Sequence, residues 1–181
     1  LANWTDITLA EMNAGDDVVE RYTFSPCAND KYDKSQLVDP AFECGAASSW
    51  LWAKPDAMKQ YLNHVHKFYK ADKVYVTEFG VDEAGESDRK TLAEATDDKY
   101  RQEYYQRYMK QIGEAKKEDA VPVKGIFAWS LMDNFEWGDG LNFRFGITYV
   151  NFTDQSRHPK GSAEWWKQLI ARMKPESMLT V

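Results

Sequence analysis

The sequence lacks the features that mark several classes of protein. Its longest apolar run, from Gly125 to Met132, is far shorter than the roughly 18 to 20 residues that a membrane-spanning helix needs. No cluster of lysine and arginine is present, and 29 acidic against 23 basic side chains give a formal charge of -6 that would repel a phosphate backbone. A hydrophobic share of 43% excludes disordered and collagen-like chains. We therefore expect a soluble, folded protein that binds neither nucleic acid nor membrane.

Cysteine is also scarce, since Cys27 and Cys44 are the only two. They lie in a segment, 24–45, that is rich in Pro, Asp, Asn and Lys and has no helical or strand period. A disulfide between them would stabilise the fold by roughly 3 kcal/mol through the entropy of the unfolded chain. Two free buried thiols are the alternative. A metal site is not indicated, because no CxxC pair and no suitably spaced histidine accompanies them.

Two N-glycosylation sequons occur, Asn3-Trp4-Thr5 and Asn151-Phe152-Thr153, and neither has proline in the middle. Together with the cysteine pair they favour a secreted protein. The chain begins at Leu1 without an initiator Met or a signal-peptide pattern, which we interpret as processing or fragmentation.

Periodicity predicts helices that alternate with apolar strands. The first pair is an amphipathic helix over Pro55–Tyr69 and a strand over Val74–Thr77. Residues 1–49 are predicted to be irregular, with at most a short helix over Thr8–Gly15. The later predictions are a long helix capped by Thr96 or Asp97 with a core-facing tyrosine stripe, a strand over Val123–Ser130, a short strand within Phe145–Phe152 and a last helix capped by Ser162. This order predicts a parallel sheet with helices outside it.

Carboxylates and aromatic rings follow both predicted strands. Glu78 ends the first strand, where β/α barrels place catalytic side chains, although a surface carboxylate is the plain alternative. In residues 128–140, two Trp and one Phe alternate with carboxylates and an amide, a combination that suits sugar hydroxyls. Alternatively, Trp129 and Phe135 belong to the core and the acids are solvated. Calcium ligation by these acids (Asp133, Glu136, Asp139) fits no EF-hand spacing.

Several motifs in order resemble the C-terminal part of the family 1 glycoside hydrolases, the retaining β-glucosidase and β-galactosidase type. The resemblance runs from about Ser48 to Met173. Val76-Thr77-Glu78-Phe79-Gly80 is similar to the family's Thr-Glu-Asn-Gly motif, and Ala128 to Trp137 nearly repeats its eighth-strand signature. The remaining matches are Ser49-Trp50-Leu51, Arg101 with Tyr104, Arg144-Phe145-Gly146 and Pro159 to Ala163.

The resemblance implies strands seven and eight of a (β/α)₈ barrel, with 1–181 forming the C-terminal segment of one barrel domain. It implies hydrolysis of terminal β-D-glucosides or β-D-galactosides through a covalent glycosyl-enzyme, with transfer to a second sugar as a side reaction, and neither a cofactor nor a metal. The implied roles are Glu78 as nucleophile, Trp129 as the subsite floor, Glu136 and Trp137 as hydroxyl partners, Phe145 as a lining residue and Trp50 as a platform for the leaving group.

Two departures from the family pattern affect these expectations. Phe79 replaces the usual Asn, which suggests a substrate-binding ring that dries the acceptor side and favours transfer. The acid/base Asn-Glu-Pro motif is absent, so these residues hold one of the two carboxyls that retention requires. A full barrel has about 250 residues. We therefore expect a segment that is active only with the N-terminal remainder of a barrel; the alternatives are a non-catalytic sugar-binding relative and an inactive fragment.

Overall fold

The computed structural model describes Cys27 and residues 37–173. The helix expected over Thr8–Gly15 and the Asn3 sequon lie outside these residues. In chain order the elements are α1 (Pro40–Glu43), α2 (Pro55–Tyr69), β1 (Val74–Val76), α3 (Leu92–Thr96), α4 (Lys99–Glu118), β2 (Val123–Ile126), β3 (Thr148–Val150), β4 (Arg157–Pro159) and α5 (Gly161–Met173), with short 3-10 helices at Glu86–Asp88 and Trp137–Asp139.

Helix α2 has the bounds that the sequence predicts. Pro55 lies in the first turn of the helix, where backbone N–H groups have no partner within the helix, so that its missing N–H costs no hydrogen bond. The helix ends at Lys70, whose backbone has the left-handed conformation. Leu62 is buried on the face that packs against α4. None of the described helices is both long enough and apolar enough to cross a membrane.

Helix α4 buries the expected aromatic stripe but begins later than predicted. Thr96 still belongs to α3, where its hydroxyl donates to the carbonyl of Leu92, and α4 follows Asp98. The cap that the sequence does provide is Thr91, whose hydroxyl accepts from the Glu94 N–H at the start of α3. The buried residues of α4 are Arg101, Tyr104, Tyr105, Tyr108, Ile112 and Ala115.

Strands β1 and β2 form the predicted parallel pair, with Tyr75 opposite Gly125 and Val76 opposite Ile126. Their buried side chains face the helices, whereas Tyr75 and Phe127 on the other face are 55% and 57% exposed. The backbone pairing continues past both strands, because Trp129 N–H donates to the Phe79 carbonyl at 2.8 Å. The carboxyl ends of the two strands therefore lie side by side.

The C-terminal segment contains the short strand that the sequence predicts within Phe145–Phe152; this strand, β3, is three residues long and pairs antiparallel with β4. The cap of the last helix differs from the prediction. Ser162 is buried inside the first turn of α5 rather than capping it. The capping group is instead the carboxylate of Asp98, which accepts from the Ser162 N–H at 2.8 Å. Asp98, which directly precedes α4, thus caps the N-terminus of α5.

Cys27 and Cys44 form a disulfide with Cα atoms 5.4 Å apart, so the alternative of two free thiols does not hold. Next to it, the buried carboxylate of Glu43 accepts from the N–H groups of Val38 and Asp39 and from the Trp52 indole. These bonds attach the segment around α1 to the residues that precede α2.

Candidate active site

The site begins where β1 and β2 end. Glu78 is exposed directly after β1, and Trp129 lies alongside it because of the Trp129 to Phe79 backbone bond. The segments after β1 and β2 approach so closely that a Cβ on Gly80 would lie 1.6 Å from the carbonyl oxygen of Trp129. Only glycine fits there, so Gly80 permits the side-by-side arrangement. The Tyr105 hydroxyl donates to the same Trp129 carbonyl at 3.1 Å.

The carboxyl group of Glu136 interacts with both Glu78 and Trp129. Burial raises the pKa of the Glu136 carboxyl, a hydrogen bond with Trp129 lowers it, and the negative charges of Asp139, Asp82 and Glu78 raise it again, so that the pKa lies above its usual value. Glu78, Trp129 and Glu136 therefore share one acidic region, as the sequence patterns predicted. Such a region suits a ligand that donates several hydroxyl hydrogens.

Two aromatic rings of the loop after β2 are open to solvent. Phe135 is 65% and Trp137 81% exposed, which contradicts the alternative that Phe135 belongs to the core. The loop is held by an N–H of Glu136 that donates to Gly140, whose positive φ of 64° favours glycine. The exposed rings therefore lie on the same loop as Glu136.

Trp50 and Phe145 meet although they are far apart in sequence. Their rings stack with centroids 6.1 Å apart and planes 17° from parallel. Trp50 is 55% exposed, whereas Phe145 is 4% exposed. Phe145 therefore packs behind the Trp50 ring and offers little surface to a ligand. The segment before Trp50 is fixed by Asp82, whose buried carboxylate accepts from the Ser48 N–H and hydroxyl.

Phe79 does not line this site, and the interpretation of it as a substrate-binding ring is wrong. The side chain is 6% exposed and packs edge-on against Tyr105 and Trp166, with centroids 5.3 and 6.0 Å away. Thr77 and Glu78 are both exposed, so the strand alternation of β1 ends after Val76, and Phe79 turns into the core while Glu78 faces solvent. Phe79 therefore gives no support to a drier acceptor side or to sugar transfer.

Asp133 is likewise not a ligand-facing acid. Its buried carboxylate accepts from the Arg144 guanidinium at 2.7 Å, from the Lys160 ammonium at 3.0 Å and from the Gly146 N–H at 3.0 Å. Among the described residues, no group of His, Cys, Asp or Glu is arranged to hold a metal ion, so Asp133, Glu136 and Asp139 do not converge. Asp133 is part of the scaffold.

The scaffold beneath the site is a buried charge network that sequence reasoning missed. Arg101 is fully buried and contacts Glu86 at 2.5 Å and Asp98 at 3.0 Å, and Lys160 contacts Glu86 at 2.5 Å. Burial alone would raise the pKa of Glu86, but Arg101 and Lys160 lower it below its usual value. The members of the network are three cations and three anions, Arg101, Arg144, Lys160, Glu86, Asp98 and Asp133.

The network joins the segments that carry the site. Glu86 follows β1, Asp133 follows β2, and Lys160 immediately precedes α5. Burial lowers the pKa of the Lys160 ammonium, and the neighbouring Arg101 lowers it further. The two carboxylates that Lys160 contacts offset part of this effect and satisfy its donors. The loops after the two strands are thus bound to each other through buried ion pairs.

A shallow hollow of about 340 Å³ opens beside Trp129. It is lined by residues 130–134 of the loop after β2 and by Val150, Phe152, Gln155 and Arg157. Trp129 also lines it, so the hollow adjoins the candidate site, although Glu78 and Glu136 are not among its lining residues.

Replacement of Gly146 by alanine is expected to destabilise the protein by about 1–3 kcal/mol, because the added Cβ would lie 2.1 Å from the backbone nitrogen of Asp133. A denaturant titration measures the effect. The control is Gly113→Ala in α4, where nothing lies within 4 Å and alanine should stabilise the helix by about 0.5–1 kcal/mol. Equal stabilities for the two variants would contradict the close approach.

Comparison with known proteins identifies the family. Residues 13–175 match the model of Glycosyl hydrolase family 1. The chain belongs to this family. Rice beta-glucosidase 34 (Oryza sativa subsp. japonica) is 40% identical over 126 residues, which cover 70% of this chain and 24% of the rice protein. Arabidopsis thaliana beta-glucosidase 42 is 40% identical, with 69% of this chain and 25% of that protein covered.

Solved structures of the family agree with the described fold. The beta-glucosidase of Humicola insolens in complex with glucose has a TM-score of 0.67 and 40% identity, covering 70% of this chain and 27% of that one. The Trichoderma harzianum beta-glucosidase has a TM-score of 0.68 and 43% identity, covering 71% and 27%. The chain spans about a quarter of the length of these relatives and forms part of a (β/α)₈ barrel.

Proposed function

We propose that this chain supplies the nucleophile half of the active site of a retaining β-glycosidase. The observation that carries the proposal is the exposed Glu78 at the end of β1, beside Trp129 and within the electrostatic reach of Glu136. In this proposal β1 and β2 are the seventh and eighth strands of the barrel, whose carboxyl ends hold the catalytic groups in barrel enzymes.

The proposed chemistry proceeds in two steps. The Glu78 carboxylate attacks the anomeric carbon and the bond to the leaving oxygen breaks, which gives a glycosyl ester on Glu78; water or a second sugar then releases the glycosyl group. Glu136 would accept hydrogen bonds from the sugar hydroxyls, Trp137 would donate one, and Trp129 would form the subsite floor. Trp50, supported by Phe145, would stack on the leaving group.

The second carboxyl must come from outside the motifs of this chain. A retaining mechanism needs an acid/base about 5–5.5 Å from the nucleophile, and no Asn-Glu-Pro sequence occurs here. Tyr75 and Phe127, both more than half exposed, form an apolar surface on the sheet face opposite the helices. In a closed barrel this face is interior, so we propose that the N-terminal remainder of the barrel covers it and supplies the acid.

Terminal β-D-glucosides are the preferred substrates in this proposal, with β-D-galactosides as the alternative. Support comes from the relatives, which are named beta-glucosidases at about 40% identity, and from the glucose complex of the Humicola insolens enzyme. The proposed reaction requires neither a metal nor a cofactor, since both steps use carboxyl groups.

Covalent trapping tests the proposal in the active enzyme that contains this chain. A 2-deoxy-2-fluoro-β-glucoside with a good leaving group should form the ester quickly and lose it slowly, so that peptide mass mapping finds the label on Glu78. Glu136 serves as the internal control, because it lies in the same acidic region and should stay unlabelled. A label on another carboxyl would refute the assignment, and sugar binding without any label would indicate a non-catalytic relative.

A further inference from the structure

We propose that Asn151 carries an N-linked glycan and that the protein passes through the secretory pathway. In the modification, Nδ2 of Asn151 would bond to C1 of a sugar donor activated as a lipid diphosphate, with loss of an Nδ2 proton and of the lipid diphosphate. The proposal is independent of the catalytic function. It begins from the sequon Asn151-Phe152-Thr153, which lies in the hairpin connecting β3 and β4. Short sequons arise often by chance, so the proposal also depends on the hydrogen bonds and the exposure of these three residues in the folded protein.

The hairpin holds Asn151 in a defined conformation. Its N–H donates to the Ser156 carbonyl at 3.0 Å, and its own carbonyl accepts from the Gln155 N–H at 2.7 Å. The side-chain oxygen Oδ1 accepts from the Thr153 N–H at 3.0 Å, which forms an Asx turn. Because a backbone N–H can only donate, this bond also fixes which end of the amide is the oxygen.

The nitrogen to which a glycan attaches, Nδ2, is therefore the amide atom that does not take part in the Asx turn. In the described part of the chain Nδ2 of Asn151 has no hydrogen-bond partner, and it is not among the buried unpaired atoms there, so it contacts solvent. A glycan on this atom would break no hydrogen bond within the part of the chain that the structure describes.

Phe152 orients the rest of the sequon. The guanidinium of Arg144 lies 4.8 Å from the centroid of its ring, and Phe152 is half-buried, whereas Thr153 is exposed. The middle residue is thus attached to the body of the protein, and the hydroxyl residue that an acceptor site requires faces outward. A surface hairpin with this arrangement is the setting in which N-glycans occur.

A separate observation points to the same compartment. Cys27 and Cys44 form a disulfide in a segment remote in sequence from the hairpin. Disulfides persist in secreted proteins and in the lumen of the secretory pathway and are rare in the cytosol. N-glycans are added in that same pathway, so the disulfide and the sequon indicate one location through unrelated chemistry.

The test is peptide mass mapping of the protein purified from the organism that makes it. The peptide with Asn151 should carry a hexosamine-containing glycan, and peptide-N-glycosidase should convert that residue to aspartate. An unmodified Asn151 would overturn the proposal, whether or not Asn3 is modified. Glycoside turnover plays no part in this readout, so its failure is distinct from failure of the proposed function.

Variants separate modification from folding. Expressed in a eukaryotic secretory host, Thr153→Ala and Asn151→Asp should lose the glycan, and Thr153→Ser should keep it. Asn151→Asp retains an oxygen that accepts the Thr153 N–H, so the turn survives without the acceptor nitrogen. Both unglycosylated variants should fold and keep their basal activity. A glycan that persisted in Thr153→Ala would contradict the site.

Discussion

The Glu78→Gln variant of the active enzyme is expected to lose on the order of 10⁴-fold or more in kcat, because an amide cannot attack the anomeric carbon. Glutamine has nearly the same shape as glutamate, and residue 78 is exposed after β1, so the helical core is unaffected. Steady-state kinetics with an aryl β-glucoside measure the loss. The melting temperature should stay within a few degrees of the parent value.

A matched control and a chemical rescue distinguish a nucleophile from a carboxylate that only stabilises the transition state by its charge. Glu114→Gln, on α4 and paired with the exposed Lys110 at 3.5 Å, should leave kcat unchanged. In Glu78→Ala, added azide should enter the vacated space and attack the anomeric carbon, which yields the α-glycosyl azide. Near-normal hydrolysis by Glu78→Gln, or a β-azide product, would show that another group is the nucleophile.

The Arg101→Met variant is expected to lose about 3–5 kcal/mol of the free energy of unfolding, since it leaves the buried Asp98 carboxylate without a cation and the buried Glu86 carboxylate with Lys160 alone. Arg101 is fully buried and donates to the carboxylates of Glu86 and Asp98 and to the carbonyls of Val81 and Arg144. A loss of this size is comparable with the whole stability of many domains. Denaturant midpoints and the yield of folded protein measure the effect.

The same helix offers the control. Arg107 also lies on α4 and pairs with Asp39 and Glu103, but its side chain is 37% exposed, so Arg107→Met should cost about 1 kcal/mol or less. Arg101→Lys keeps the charge but loses the planar fork, and an intermediate loss is expected. If Arg101→Met were no less stable than Arg107→Met, the network would not hold the site together.

The sequence located the elements that depend on local chemistry. Pro55 and the spacing of apolar residues predicted α2 with its observed bounds, and the tyrosine stripe predicted the buried face of α4. In both cases the signal is periodic along one helix and needs no distant partner. The motifs around Glu78 and Trp129 pointed to the family, because they are short runs of consecutive residues that can be compared without any structure.

The sequence misled where proximity along the chain was taken for proximity in space. Phe79 adjoins Glu78 but enters the aromatic core, and Asp133 lies in the eighth-strand signature but pairs with Lys160 and Arg144. Thr96 was a reasonable cap for α4, yet its hydroxyl is used within α3. A side chain's direction and its partner are set by backbone geometry and by contacts that sequence order does not encode.

By itself, then, the sequence determined the family, the alternation of helices with apolar strands and the identity of the acid proposed as nucleophile, because each depends on residues close together in the chain. The tertiary structure alone decided how that acid is supported. Lys160 reaches Glu86 across 74 positions and Ser162 reaches Asp98 across 64, so the network that fixes the two strand ends exists only after the chain has folded. Buried charges need partners at hydrogen-bond distance, and folding brings those partners together.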